Sequence, residues 1–326
     1  MKIAFFDTKS YDCEVFEPKL KEAGIKVKFY ETLLDEDSAV LAKGYDAICV
    51  FVNDVVNSKV IDLLKEFGVK FIALRCAGFN NVDYKYANSV GITVVRVPAY
   101  SPYAIAEHAM ALLLTSTRKI HRAYIRTRDF NFSLQGLTGF DLYGKTVGVI
   151  GTGKIGKIFI NICKGFGMNV IAYDRYPDDS LDVTYKSLDE IYRESDIISY
   201  HCPLTDETLH MFNRGTLGKI KPGIVIINTS RGALIDAEAL IEGIKDKKIG
   251  AACLDVYEEE AGYFYEDRSD SIIDDDTLSR LISMPNVIVT SHQAFLTREA
   301  LENIATTTID NLLKLDAGKE CGNIVS

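Results

Sequence analysis

The chain has 326 residues, of which 47% are apolar and 25% are charged. Asp and Glu (46) outnumber Lys and Arg (37), and the resulting formal net charge of −9 argues against a protein that coats nucleic acid or binds an anionic membrane surface. The length exceeds the size at which one hydrophobic core usually stops growing, so two domains are expected.

Strand-like apolar runs alternate with helix-like periods along most of the chain. The first third contains five predicted strands: Lys2–Asp7, Val27–Tyr30, Ala47–Phe51, Phe71–Arg75 and Ile92–Val97. Six more follow in the middle: Thr146–Gly151, Val170–Asp174, Ile197–His201, Ile224–Asn228, Ala251–Val256 and Val287–Thr290. Runs such as IVIIN are apolar on both faces, which is typical of a parallel sheet covered by helices. The alternation predicts a doubly wound α/β architecture in two units.

Two long helical patterns mark the boundary between these units. Ser101 and Pro102 form a helix start, and apolar residues then recur at helical spacing for about 24 residues. Thr297–Leu315 is the second pattern. If this second helix returns to the N-terminal unit, the chain crosses between the units twice. We then expect hinges near residues 99–102 and 293–298, with a cleft between two domains.

Residues 146–156 read TVGVIGTGKIG, in which a strand runs directly into a glycine-rich turn and a helix follows. Gly151 would permit the tight turn, Gly153 would let a pyrophosphate approach the backbone, and Gly156 would allow close helix packing. Lys154 and Ile155 open the helix, whose N-terminal N–H groups favour phosphate. This pattern predicts a dinucleotide site, and we call its glycine-rich turn, residues 151–156, the phosphate loop.

Asp174 ends the next predicted strand, 18 residues after Gly156. Its carboxylate would accept hydrogen bonds from the adenosine ribose and would repel a 2′-phosphate, so NAD is favoured over NADP. Arg175 weakens that preference, because an Arg at this place can face a 2′-phosphate.

Three further predicted strands end in polar residues, and ligands of open α/β sheets bind at such ends. Arg231 could grip a carboxylate with two parallel hydrogen bonds. His292 could protonate a carbonyl oxygen and take the proton back in reverse. One of Glu258, Glu259 and Glu260 could fix the imidazole tautomer, and spacing cannot choose among the three. Together these groups would suit the reduction of a 2-oxo acid.

The motifs resemble those of the D-isomer-specific 2-hydroxyacid dehydrogenase family over nearly the whole chain. The resemblance rests on the phosphate loop, TSRGALID (229–236), LDVYEEE (254–260) and SHQAF (291–295) in that order. Residues 74–83, 97–109, 120–156, 201–205 and 291–297 look most like those of bacterial fermentative D-lactate dehydrogenases. The resemblance implies that Arg231, Glu260 and His292 are the catalytic residues.

The resemblance also implies a fold and further site residues. It implies a flavodoxin-like substrate domain (1–100 plus 299–326) and a Rossmann coenzyme domain (101–298), with NAD as cofactor. The substrate would meet Ala77, Gly78, Tyr100, Arg231 and Phe295. The coenzyme would also meet Cys202, Pro203, Thr208, Thr229, Ser230 and Asp255. Arg75 would either lie near the oxo acid or form an interdomain salt bridge.

Several alternatives stay open at this point. The substrate could be pyruvate or a larger 2-oxo acid, and an NAD-sensing binding protein on the same scaffold is a third possibility. His108 and His121 are expected to be packing or interface residues. Helix 102–128 and the apolar arm after it, with Phe130, Phe132 and Leu134, are candidates for contacts in a homo-oligomer.

The remaining features indicate a cytoplasmic protein. The N-terminal run is interrupted by Asp7 and does not resemble a signal peptide, and no stretch of 18 apolar residues predicts a membrane span. The seven cysteines are scattered without a C-x-x-C pair, so neither a disulfide framework nor a metal site is expected.

Overall fold

The computed structural model describes residues 1–260 and 262–326. It divides into two compact units, each with its own parallel sheet. Unit 1 comprises Met1–Ser101 and Leu296–Ser326, and unit 2 comprises Pro102–Phe295. Within the described residues, no helix has the length and apolar character needed to cross a membrane.

The strands and helices alternate through both units. The strands are β1 (Lys2–Phe5), β2 (Lys26–Phe29), β3 (Ala47–Val50), β4 (Phe71–Leu74), β5 (Thr93–Val95), β6 (Thr146–Ile150), β7 (Asn169–Tyr173), β8 (Thr184–Tyr185), β9 (Ile197–Tyr200), β10 (Ile224–Asn228), β11 (Ile249–Leu254) and β12 (Val287–Val289). The α-helices are α1 (Ser10–Glu22), α2 (Ser58–Glu66), α3 (Tyr84–Ser89), α4 (Pro102–Thr117), α5 (Ile120–Arg128), α6 (Lys154–Gly165), α7 (Leu188–Glu194), α8 (Ala237–Lys245), α9 (Asp276–Ser283) and α10 (Arg298–Asp316).

The sheet of unit 1 has five parallel strands in the order β2-β1-β3-β4-β5. This is the strand order of flavodoxin-like folds. Strand β3 is buried at all four positions, because helices cover both faces of the sheet. Helix α2 begins where the Asn57 side chain accepts a hydrogen bond from Val60 N, and it buries Val60, Ile61 and Leu64.

The sheet of unit 2 has seven parallel strands in the order β12-β11-β10-β9-β6-β7-β8. Strand order therefore reverses at β6, as in Rossmann folds, and the ends of β6 and β9 form the switch point where ligands bind. Alternate residues of β10 pack into two different cores: Ile224 and Ile226 into one, Val225 and Ile227 into the other. Both faces of the sheet are thus covered, and the predicted two-sheet α/β fold class is confirmed.

The structure corrects the prediction of one continuous helix after Pro102. Lys119 has a left-handed φ of 52°, which ends the hydrogen-bond ladder and separates α4 from α5. A Cβ on Gly139 would lie 2.2 Å from Thr117 O, so the arm after α5 packs its backbone against the end of α4. Because apolar periodicity continues across this break, the sequence pattern did not predict it.

Most strands also end earlier than predicted, with polar or left-handed residues just outside. Asp7 (φ 49°) leaves the extended conformation two residues after β1, and Gly151 (φ 97°) does so directly after β6. Residues placed inside strands by their apolar neighbours therefore belong to the loops at the carboxyl edges, where a site would be built. Strand β8 was not predicted, because two residues carry no periodicity.

Candidate active site

The phosphate loop lies at the switch point of the unit 2 sheet. The chain leaves β6 at Gly151, and Gly153 is the N-cap of α6. A Cβ on Gly156 would lie only 2.0 Å from Gly151 O, so α6 packs directly against the turn. A Cβ on Gly153 would meet no atom within 4 Å, which leaves open space above the first N–H groups of the helix. Gly153 and Lys154 are exposed and Ile155 is half-buried.

Asp174 is tied to this loop rather than projecting freely from β7. Its Oδ2 accepts hydrogen bonds from Thr152 N (2.6 Å) and Thr152 Oγ1 (3.0 Å), and its Oδ1 accepts one from Tyr176 N (2.9 Å). The Tyr185 hydroxyl lies 3.0 Å from Thr152 Oγ1. Asp174 therefore holds the phosphate loop in place at Thr152, a role that the sequence did not reveal.

The neighbouring Arg175 forms an ion pair with Glu207, and both side chains are mostly exposed. The guanidinium therefore already has an anionic partner on its own surface. The Arg residue that had weakened the preference for NAD over NADP is thus compensated locally.

The loops after β9 and β10 are joined by side-chain hydrogen bonds. Ser230 Oγ donates to Cys202 O (3.0 Å), and Thr208 Oγ1 donates to Pro203 O (2.8 Å), closing the turn after β9. Thr229 Oγ1 is buried and finds no hydrogen-bond partner within the described residues. A buried hydroxyl without a partner costs free energy unless a ligand satisfies it.

Arg231 stands exposed at the end of β10, with Nη1 donating to Ser230 O (2.7 Å). The following residue explains how this loop meets the next one. A Cβ on Gly232 would lie 2.0 Å from the carbonyl carbon of Tyr257, so only glycine lets the loops after β10 and β11 touch here.

His292 and Glu260 form a hydrogen-bonded dyad. Nδ1 of His292 lies 2.8 Å from Oε1 of Glu260, and Oε2 of Glu260 accepts from Tyr257 N (3.1 Å). A carboxylate can only accept, so Nδ1 carries the hydrogen and Nε2 is the nitrogen that faces away from the dyad. Glu258 instead pairs with His210 at 2.7 Å. The structure thus brings Glu260, the residue implied by the resemblance, to the imidazole.

The turn that carries His292 is built around Asp255. Its fully buried carboxylate accepts hydrogen bonds at Oδ1 from Thr290 Oγ1 (2.5 Å) and Gln293 N (2.9 Å), and at Oδ2 from Ala294 N (2.8 Å). Burial alone would raise the pKa of Asp255, but hydrogen bonds from His108, Thr290 and Ala294 outweigh it and hold the pKa below its usual value. Phe295 is buried directly after this turn.

The other predicted substrate residues belong to unit 1. The Ala77 carbonyl accepts from Arg96 Nη1 (2.8 Å), and the Gly78 carbonyl accepts from Cys76 Sγ (3.2 Å), so this loop is pinned at the carboxyl edge of β4. Tyr100 is half-buried, and its carbonyl accepts from Asn303 of α10 (2.7 Å).

Arg75 is a buried structural group of unit 1. Its guanidinium donates to Phe6 O (3.0 Å) and Asp7 O (2.6 Å), lies 3.4 Å from Asp12 Oδ2, and is 2% exposed. These contacts tie β4 to the end of β1, which neither of the two readings offered for Arg75 anticipated.

Comparison with known proteins identifies relatives along the whole chain. The family model for the D-isomer specific 2-hydroxyacid dehydrogenase NAD binding domain matches residues 110–294. The chain is 52% identical to the D-lactate dehydrogenase of Escherichia coli strain K12, over 99% of each chain. The solved apo-structure of D-lactate dehydrogenase from Escherichia coli superposes with a TM-score of 0.92 at 49% identity, covering 100% of both chains. An NAD-complexed D-isomer specific 2-hydroxyacid dehydrogenase from Lactobacillus delbrueckii ssp. bulgaricus matches with a TM-score of 0.83 at 31% identity, covering 100% of both.

Proposed function

The chain belongs to the D-isomer-specific 2-hydroxyacid dehydrogenase family, and we propose that it is an NAD-dependent D-lactate dehydrogenase that reduces pyruvate reversibly to D-lactate. The observation that carries the proposal is the His292–Glu260 dyad at 2.8 Å, at the carboxyl edge of a dinucleotide-binding sheet. The substrate is inferred from the named relatives, which are 49% to 52% identical to this chain over nearly their full length. In a cell the reaction would regenerate NAD during fermentation.

The chain fits NAD at several separate points. Open space above Gly153 leaves room for the pyrophosphate, where Lys154, Ile155 and the N-terminus of α6 would meet it. Asp174 would accept from the adenosine ribose. The Thr229 hydroxyl, which has no hydrogen-bond partner within the described residues, would receive the nicotinamide half together with Cys202, Pro203, Thr208, Ser230 and Asp255. When bound, NADH supplies the hydride that the reaction needs.

The residues of the chain supply binding and proton transfer. Arg231 would hold the substrate carboxylate through two parallel hydrogen bonds. His292 would donate the proton on Nε2 to the carbonyl oxygen, which becomes the hydroxyl of the product, and would recover it in the reverse direction. Glu260 keeps the Nδ1 hydrogen in place and so fixes the tautomer of the imidazole. Ala77, Gly78 and Tyr100 would contact the substrate from unit 1, and Phe295 would border its methyl group.

The assay that separates the candidate functions is NADH oxidation with a panel of 2-oxo acids. We expect kcat/KM for pyruvate to exceed that for 2-oxoglutarate and for branched-chain 2-oxo acids. A preference for a larger acid would make the chain a relative with a wider pocket. NADH binding without turnover of any 2-oxo acid would favour an NAD-sensing binding protein. His292→Ala should reduce kcat by about a hundredfold or more while NADH still binds.

We also propose that two copies associate through α4, α5 and the arm that follows. Phe130 and Leu134 are more than 80% exposed, and Phe132 is 71% exposed. A groove of about 580 Å³ between α4 and α6 is lined mostly by apolar side chains, including Met110 and Ile158. Such a surface is typical of an interface. The molar mass from light scattering should be that of a dimer or a larger oligomer, and Phe132→Asp should weaken the association.

A cytoplasmic location is part of the same proposal. All seven cysteines are thiols, which suits a reducing compartment. No three His, Cys, Asp or Glu side chains among residues 1–260 and 262–326 gather as metal ligands would.

A further inference from the structure

His108 on α4 contacts the carboxylate of Asp255, around which the turn that carries His292 is built. Helix α4 packs over β11 and β12, the strands that lead into Asp255 and Thr290. Nε2 of His108 lies 3.3 Å from Asp255 Oδ1 and 3.2 Å from Thr290 Oγ1. The side chain is 18% exposed, so these contacts are largely shielded from water.

The direction of these hydrogen bonds follows from the chemistry of the three groups. A carboxylate can only accept, and Thr290 spends its single hydroxyl hydrogen on Asp255 at 2.5 Å. Nε2 of His108 must therefore carry a hydrogen and share it between Asp255 Oδ1 and Thr290 Oγ1. His108 is thus a donor to a buried carboxylate. Its position in the sequence had suggested a packing or interface residue instead.

The carboxylate of Asp255 in turn holds the backbone around His292. It binds the N–H groups of Gln293 and Ala294, and the Asp255 carbonyl accepts from His292 N at 2.7 Å. His292 has a φ of 53°, a left-handed conformation that costs free energy in a residue with a Cβ. That conformation persists only where the surroundings impose it, and Asp255 supplies bonds on both sides of it.

We infer that His108 is a positioning residue for the acid–base histidine, acting through Asp255 and Thr290. The inference rests on the proposed function, in which His292 exchanges the proton. Without the donor on His108, the carboxylate of Asp255 loses one of its polar partners and the turn can relax. His292 then spends less time in the conformation that presents Nε2 to the substrate.

The test compares two substitutions at His108 with a matched substitution elsewhere. His108→Leu removes the donor, whereas His108→Gln places an amide nitrogen the same number of bonds from Cα as Nε2. His121→Leu is the control, because Nδ1 of His121 is buried without a hydrogen-bond partner within the described residues. We expect kcat for pyruvate reduction to fall about tenfold in His108→Leu, to stay within about threefold of wild type in His108→Gln, and to be unchanged in His121→Leu.

Two further readouts separate positioning from a purely structural role. The dissociation constant for NADH, from the fluorescence of bound NADH, should stay within about twofold of wild type in both His108 variants. Because His108 and Thr290 act on the same carboxylate, adding Thr290→Val to His108→Leu should lower kcat by clearly less than the product of the two single effects.

Several results would overturn the inference. These are equal kcat in His108→Leu and wild type, equal losses in the Leu and Gln variants, or multiplicative effects in the double variant. A wild-type protein without turnover of any 2-oxo acid would instead overturn the proposed function, and that result is read before any variant is compared.

Discussion

Replacing each of two glycines of the phosphate loop by alanine should have different effects: one substitution should lower stability, and the other should weaken coenzyme binding. In Gly156→Ala the new Cβ would lie 2.0 Å from Gly151 O, whereas ordinary contacts begin near 3.4 Å. Helix α6 must therefore retreat by more than 1 Å from a backbone atom that cannot rotate away. Overpacking of this kind costs about 3 kcal/mol, and alanine recovers about 1 kcal/mol as the better helix former. The net loss of about 2 kcal/mol should lower Tm by about 4 to 8 °C.

Gly153→Ala should leave folding intact and damage coenzyme binding. Its Cβ meets no atom within 4 Å, and the backbone angles of φ −66° and ψ −166° suit alanine. The methyl group would instead occupy the space through which the pyrophosphate approaches, so the Kd for NADH should rise by about tenfold or more.

The assay is a pair of measurements on each variant: thermal unfolding by circular dichroism and NADH binding by fluorescence titration. We expect Gly153→Ala to keep the Tm of wild type and lose affinity, and Gly156→Ala to lose stability. Wild-type affinity in Gly153→Ala would refute the path assigned to the pyrophosphate. Wild-type stability in Gly156→Ala would refute the close packing of α6 on the turn.

Three further predictions concern other parts of unit 2. Arg231→Lys should raise KM for pyruvate about tenfold or more with a smaller effect on kcat, because Lys cannot form the two-pronged contact; an unchanged KM in steady-state kinetics would contradict this. Glu207→Gln releases Arg175, so the kcat/KM ratio of NADH to NADPH should fall by up to about fivefold, and an unchanged ratio would show that Arg175 does not act at the ribose. Burial lowers the pKa of His201 to about 3, so the folded chain stays neutral there while the unfolded chain takes up a proton below about pH 6.5. Stability is thus fully present above that pH and is lost on acidification, by about 1 kcal/mol between pH 7 and 5.5. His201→Gln should lack this pH-dependent loss. If the urea midpoint shifts by the same amount between the two pH values in wild type and in His201→Gln, burial of His201 is not the cause.

The parts of the fold that the sequence predicted are those with a strong local signal. Runs apolar on both faces located the strands, and the glycine spacing predicted the tight turn between β6 and α6, because each of these features is encoded within about 30 residues. The family resemblance is confirmed by the relatives and by the match over residues 110–294. The roles of the individual site residues remain predictions.

The parts that the sequence did not predict depend on contacts between distant segments. Thr152, Tyr185 and Asp174 meet only after β6, β7 and β8 pair side by side. His108 and Asp255 are 147 positions apart in the chain, and a helical histidine beside apolar residues gives no sign of a carboxylate partner. The break at Lys119 arises from one dihedral angle, which apolar periodicity does not record.

The reaction that we propose for this chain transfers the hydride of NADH to pyruvate and produces the D isomer. The most direct measurement incubates wild-type protein with NADH and pyruvate, follows the loss of NADH, and quantifies both lactate isomers by chiral chromatography. We expect one D-lactate for each NADH consumed, with no L-lactate above background. L-lactate, a racemic product or no consumption of NADH would contradict it.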